Sequence, residues 1–216
     1  MLIIIYSHVI KSMVYMAKDE VIKRLENSWE MLSNRIDHAH REFLKNAEDE
    51  DLANNHFICW EEADVPFQLG RFFYPERDDG RYEFHLEMRL TPKNFDGYTF
   101  SDNGNLAKVQ HKLGKKVDID FLVEDREDEL LSVCGEAKYF RYKIEGVSHG
   151  RRTLLEAIEE DYERLKTFSQ YKICRHTVYA VLDKHYHRSD PKLWIKAKSL
   201  LKKMRESGIT VFVKEV

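Results

Sequence analysis

The stretch of this 216-residue chain that most limits its fold is Ile173 to Leu182. Its run Val178-Tyr179-Ala180-Val181-Leu182 lacks polar alternation, so a strand built from it needs cover on both faces. Amphipathic patterns on either side supply that cover. Before it, Leu155, Ile158, Tyr162 and Leu165 recur at helical spacing behind a capping box, Thr153 with Glu156 three residues on. After it, Asp190-Pro191 opens a helix carrying Leu193, Trp194, Ala197, Leu200, Leu201 and Met204, with Gly208 as its stop; Ile209 to Val216 reads as a last strand. This order predicts an α/β fold with a mixed central sheet and helices on both faces.

Further upstream, Val65, Leu69 and Phe72 fall at helical spacing. Tyr82, Phe84, Leu86, Met88 and Leu90 alternate with charged residues, the period of a half-buried strand. Residues 91–114, rich in Asn, Asp, Gly, Lys and Thr, read as a loop. Between Lys18 and Ala47, apolar residues at Ile22, Leu25, Trp29, Leu32, Ile36, Ala39 and Phe43 are spaced three and four apart, the seam of a coiled-coil-like helix. That seam either packs along its own domain or makes a homodimer through the helix 18–47. The organisation expected is therefore an N-terminal helical extension over 1–50 and an α/β domain over 51–216, a reasonable division for this length.

Composition closes several classes. Only 9 glycines and 4 prolines leave no room for a collagenous or linker-like chain, and a 43% hydrophobic share can fill a core. The cysteines, Cys59, Cys134 and Cys174, are odd in number, far apart and without a CxxC pair, which points to a reducing, cytoplasmic compartment. The first ten residues are apolar but too few to span a membrane and have no basic lead. With Met13 and Met16 close behind, residues 1–15 are expected to lie in part upstream of the true start, and no membrane partner is expected.

The chemistry concentrates in a hairpin. Val117, Ile119, Phe121 and Val123 alternate with Asp118 and Asp120, charged residues 125–129 make the turn, and Leu130 to Tyr139 returns with Gly135-Glu136-Ala137-Lys138 inside it. Residues two apart in a strand share a face, so Glu136 and Lys138 project together. If the turn closes around Arg126 to Asp128, Asp118 or Asp120 lies across from Gly135 or Glu136. Two carboxylates converging on one face suit a hard cation such as Mg²⁺, which prefers oxygen ligands. A lysine beside them cannot ligate the ion, but it can orient a water or stabilise charge on a phosphate.

An Asp on one hairpin strand and Glu-x-Lys on the next, with a helical Glu upstream and an α–β pair downstream, resembles the PD-(D/E)xK nuclease superfamily of restriction-endonuclease-like proteins. The likeness covers about residues 57 to 185, although no proline precedes the aspartate. It implies a Mg²⁺-dependent nuclease, with Mn²⁺ able to substitute, that hydrolyses phosphodiester bonds, in DNA before RNA. It also implies Asp120 and Glu136 as metal ligands, Ala137 as a ligand through its carbonyl, and Lys138 for water activation or charge stabilisation. The family's first-helix glutamate falls on Glu62, with Glu61 as the near alternative; Asp118 competes with Asp120. The competing expectation is a catalytically silent nuclease-like fold that dimerises or binds a partner.

The formal charge of −3 excludes a uniformly basic nucleic-acid coat. Local basic sets remain. Arg141, Lys143, Arg151 and Arg152 follow the Glu-x-Lys strand with Tyr139, Phe140 and Tyr142 interleaved, a pattern suited to a phosphate backbone. Arg188, Lys192, Lys196, Lys198, Lys202, Lys203 and Arg205 form a second set, read as an exposed helix face. His38 with His40, and His185 with His187, read as surface histidines. Glu159, Glu160 and Asp161 read as a wet helix face, with Asp161 and Lys166 able to frame the cleft. Glycine-rich phosphate loops and nucleophile elbows are absent from the sequence.

Overall fold

A computed structural model of the chain describes residues 20–41, 62–74, 80–128, 130–140, 154–184 and 190–216. Its described elements run α1 (20–41), α2 (Asp64–Phe73), β1 (Tyr82–Arg89), α3 (Thr99–Asp102), α4 (Asn105–Leu113), β2 (Asp118–Asp125) and β3 (Leu131–Phe140), then α5 (Leu154–Gln170), β4 (Cys174–Asp183), α6 (Pro191–Glu206) and β5 (Thr210–Glu215). The strands form one five-stranded sheet in the order β1-β2-β3-β4-β5. The first two pairings are antiparallel and the last two parallel. The sheet is thus mixed, and the two parallel steps are βαβ units whose crossovers hold α5 and α6.

Each face of the sheet has its own core. On one, Leu122, Cys134, Tyr179 and Val181 pack with α3, α4, α5 and α6 through Phe100, Leu106, Val109, Ile158, Leu165, Trp194 and Leu201. On the other, Phe121, Val123, Val133, Ala137, Val178 and Ala180 pack with α1 and α2 through Leu25, Leu32, Ile36, Val65, Leu69 and Phe73. The alternation of β3 sends Ala137 to the second face while Cys134 goes to the first. The two-sided burial of β4 is what its unbroken apolar run requires.

The buried stripe of α1 is Val21, Leu25, Ser28, Leu32 and Ile36, with Ile22 and Trp29 at its margins. Ser28 is tolerated inside it because its hydroxyl donates to the Arg24 carbonyl at 2.7 Å. Trp29 stacks on Phe212 of β5 at 5.7 Å between centroids, and Lys214 pairs with Asp37 at 2.6 Å. The seam therefore packs on the chain's own sheet, the first of the two uses its spacing allows.

Residues 91–114 depart from the loop reading. They contain α3 and α4, and Phe95, Phe100, Leu106 and Val109 are fully or almost fully buried against the sheet. Asn103 Oδ1 accepts the N–H of Asn105 between the two helices. Burial of four widely spaced apolar residues outweighed a polar composition that disfavours helix locally. The α6 start behaves as its sequence predicts, with Asp190 accepting the N–H of Leu193 at 2.9 Å and Pro191 in the first turn.

Candidate active site

The β2–β3 ladder carries the site. Its register runs to Phe121↔Gly135 at the end away from the turn. A Cβ on Gly135 would overlap the ring of Phe121, which stacks on Phe84 at 5.5 Å with planes 3° apart. Only a glycine lets that ring lie across β3. Beyond this pair the Asp120 side chain takes over from the ladder: its Oδ2 accepts the N–H of Ala137 at 2.8 Å. Asp120 is thereby fixed beside Glu136.

Glu136 is fully buried, at 0% exposure. Arg164, from α5, donates to its Oε2 at 2.7 Å, whereas its Oε1 has no hydrogen-bond partner. A buried carboxylate oxygen left unpaired costs free energy, so it marks either strain or a missing ligand. Asp161, one helical turn before Arg164, is also buried; its Oδ2 accepts from Tyr179 at 3.2 Å and lies 3.5 Å from Lys138 Nζ. Glu62, just ahead of α2, pairs with Lys138 Nζ at 2.6 Å. Glu62, Asp120, Glu136, Lys138, Asp161 and Arg164 thus form one connected group.

Burial pushes Glu136 well above the usual carboxylate range; Asp120 and Asp161 add repulsion, and Arg164 only partly opposes it. Burial likewise raises Asp161, to about 6, against the pull of Lys138 and Arg164. For Lys138, burial works to lower the pKa, but Asp161 and Glu62 outweigh it and hold the ammonium charged. Four carboxylates face two cationic side chains. When all ionise, the surplus is two negative charges, the charge of one divalent cation. The orphaned Glu136 Oε1 and this surplus both fit a cation held by oxygen ligands.

The two aspartates of β2 are separated by their neighbours. Asp118 stands opposite Arg89 in the β1–β2 register and accepts from it at 2.7 Å; that bond pulls its carboxyl below the ordinary range. It is more than half exposed. Glu61 lies outside the described residues, as do Arg141, Lys143, Arg151, Arg152, His185 and His187. Lys192, Lys196, Lys198, Lys202, Lys203 and Arg205 are exposed along α6.

Within the connected group, the sequence reading gives Arg164 no role; it places Asp161 first on a wet helix face and second, with Lys166, at the frame of the cleft. The signal for Asp161 was present: it occupies an apolar place in the buried series Leu154, Ile158, Leu165, Phe168 of α5. A third acid, Glu87, joins Glu62 and Asp120 in lining a cleft of about 460 Å³ together with Ala63 and Pro66. Its backbone is left-handed, at φ 50°, which is uncommon for a residue with a Cβ.

Among the described residues, no helix is long and apolar enough to cross a membrane. Comparisons with protein-family models, with curated proteins and with solved structures each found no match.

Proposed function

We propose that this chain is a divalent-cation-dependent nuclease of the restriction-endonuclease-like fold, hydrolysing phosphodiester bonds in DNA before RNA. The observation that carries the reading is Glu136. It is wholly buried, held by Arg164 through one oxygen, unpaired at the other, and flanked by Asp120 and Lys138. Glu62 just ahead of a helix, an antiparallel strand pair whose second strand carries Glu-x-Lys, and then a helix and a parallel strand support the reading by their order along the chain.

Asp120 and Glu136 would hold Mg²⁺, or Mn²⁺ in its place, with the Ala137 carbonyl as a further ligand. When bound, the ion supplies Lewis acidity to a phosphoryl oxygen and lowers the pKa of a coordinated water. The side chains do the rest. Lys138, kept charged by Asp161 and Glu62, orients the attacking water or offsets charge that builds on the phosphate. Arg164 keeps the Glu136 carboxylate turned so that one oxygen stays available. Arg141, Lys143, Arg151 and Arg152 are the proposed contacts to the phosphate backbone, and their effect should weaken with salt.

The test incubates purified protein with supercoiled plasmid, single-stranded DNA and RNA in Mg²⁺ or Mn²⁺, beside Lys138→Ala. Cleavage by the parent that slows at least about 100-fold in the variant supports the reading. Equal rates in the two proteins, or no cleavage of any substrate, would overturn it. Preferential cleavage of RNA would reassign the substrate.

A further inference from the structure

We propose a second metal site, for Zn²⁺, formed by Glu83, His85 and Glu124 at the end of the β1–β2 ladder that lies beside the β2–β3 turn. Glu83 and His85 are two apart in β1 and share a face. Glu124 stands directly opposite Glu83 in the register. Like charges placed opposite one another in an antiparallel pair destabilise it, so this arrangement breaks a local rule at one spot. The β2–β3 register also shifts between Val123 and Glu124, and such bulges re-aim a side chain.

The ligand atoms are already gathered. His85 Nε2 lies 3.5 Å from Glu83 Oε2 and 3.3 Å from Glu124 Oε2, and the three donor atoms lie within 4.8 Å of one another. Nε2 is itself shielded from solvent and has no hydrogen-bond partner. Zinc bonds of about 2.0–2.1 Å in a tetrahedron separate neighbouring ligand atoms by about 3.3–3.4 Å. The two separations from His85 Nε2, 3.3 and 3.5 Å, are close to the edge of that tetrahedron. One imidazole and two carboxylates neutralise the ion and leave a fourth position for water.

The surroundings hold these ligands in place. Arg126 bonds Glu83 Oε1, which directs Oε2 toward His85. Tyr98 hydrogen-bonds Glu124 from the segment before α3. Partners of this kind orient metal ligands from outside the coordination sphere. The three ligands include none of Glu62, Asp120, Glu136, Lys138, Asp161 or Arg164, so this site stands independently of the nuclease reading.

The experiment titrates the full chain with zinc alone by calorimetry, and with Co²⁺ by visible absorption, in the parent, His85→Asn and Glu136→Gln. The proposal expects a zinc equivalent with a tetrahedral Co²⁺ spectrum that the parent and Glu136→Gln share and that His85→Asn lacks. Tyr98→Phe should weaken binding about 10-fold. If circular dichroism shows that His85→Asn has not folded, Glu124→Gln takes its place. No zinc bound by the parent, or an unchanged equivalent in His85→Asn, overturns the proposal. So does an equivalent lost only in Glu136→Gln, which would put zinc in the cleft instead.

Discussion

Arg164 donates to Glu136 Oε2 at 2.7 Å from a helix that crosses over β3, and this one contact compensates a carboxylate with no access to water. Removing the guanidinium leaves a buried carboxyl group with neither oxygen partnered. Breaking a buried pair costs about 3–5 kcal/mol; because Arg164 is 30% exposed, about 2–3 kcal/mol is expected here. Arg164→Met should therefore lower urea stability by that amount. Mg²⁺ should restore more stability to the variant than it adds to the parent. A variant as stable as the parent in the absence of metal would contradict this.

Stability should fall with rising pH across the cleft's titration. Glu136 and Asp161 have folded-state pKa values above their unfolded ones, Asp161 at about 6. The folded state then binds more protons, so their contribution is fully present below the unfolded values and is lost as pH rises through the folded ones. The metal-free protein should melt at a higher temperature at pH 5 than at pH 8. Added Mg²⁺ should flatten or reverse that slope, since the ion favours the ionised carboxylates. Thermal melts across this range with and without the ion read the sign directly; a rising slope without metal would refute it.

Gly135 is expected to tolerate no side chain. Gly135→Ala drives a methyl into the Phe121 ring, and overpacking of this kind costs about 1–3 kcal/mol. The displaced strand should also move Glu136 and so weaken metal binding. Combining it with Phe121→Leu should recover part of the stability, because the clash partner is smaller. Chemical denaturation of the two single variants and the double variant measures the coupling.

Leu32 distinguishes the two uses of the N-terminal helix. It is fully buried in the core shared with α2 and the sheet. Leu32→Ala should cost about 2–5 kcal/mol in urea unfolding, with no change in sedimentation. A dimer seam would give the opposite pattern, a shift in association with little loss of monomer stability.

Much of this was legible along the chain, because strand alternation and helical spacing are local backbone periods. The two-faced β4, the β2–β3 hairpin, the shared face of Glu136 and Lys138 and the Asp190 cap all follow from neighbours within a few residues. Other features depend on which distant surface an element meets. The polar segment holding α3 and α4 became helical because Phe100 and Val109 found the sheet. The choice between Asp118 and Asp120 as the neighbour of Glu136 turned on Arg89, which engages the first, and on the end of the ladder at Phe121↔Gly135, where the second reaches Ala137.

The sequence by itself determined the α/β alternation and the Glu-x-Lys face, since both are set by side-chain periods of two and of about 3.6. Tertiary structure alone decided that Asp161 and Arg164 descend from α5 onto Glu136 and Lys138, and that Glu62 closes on Lys138 from 76 residues away. Those contacts depend on packing a helix over a parallel strand pair. Burial there makes an unpaired carboxylate costly enough to dictate which charges must gather round it.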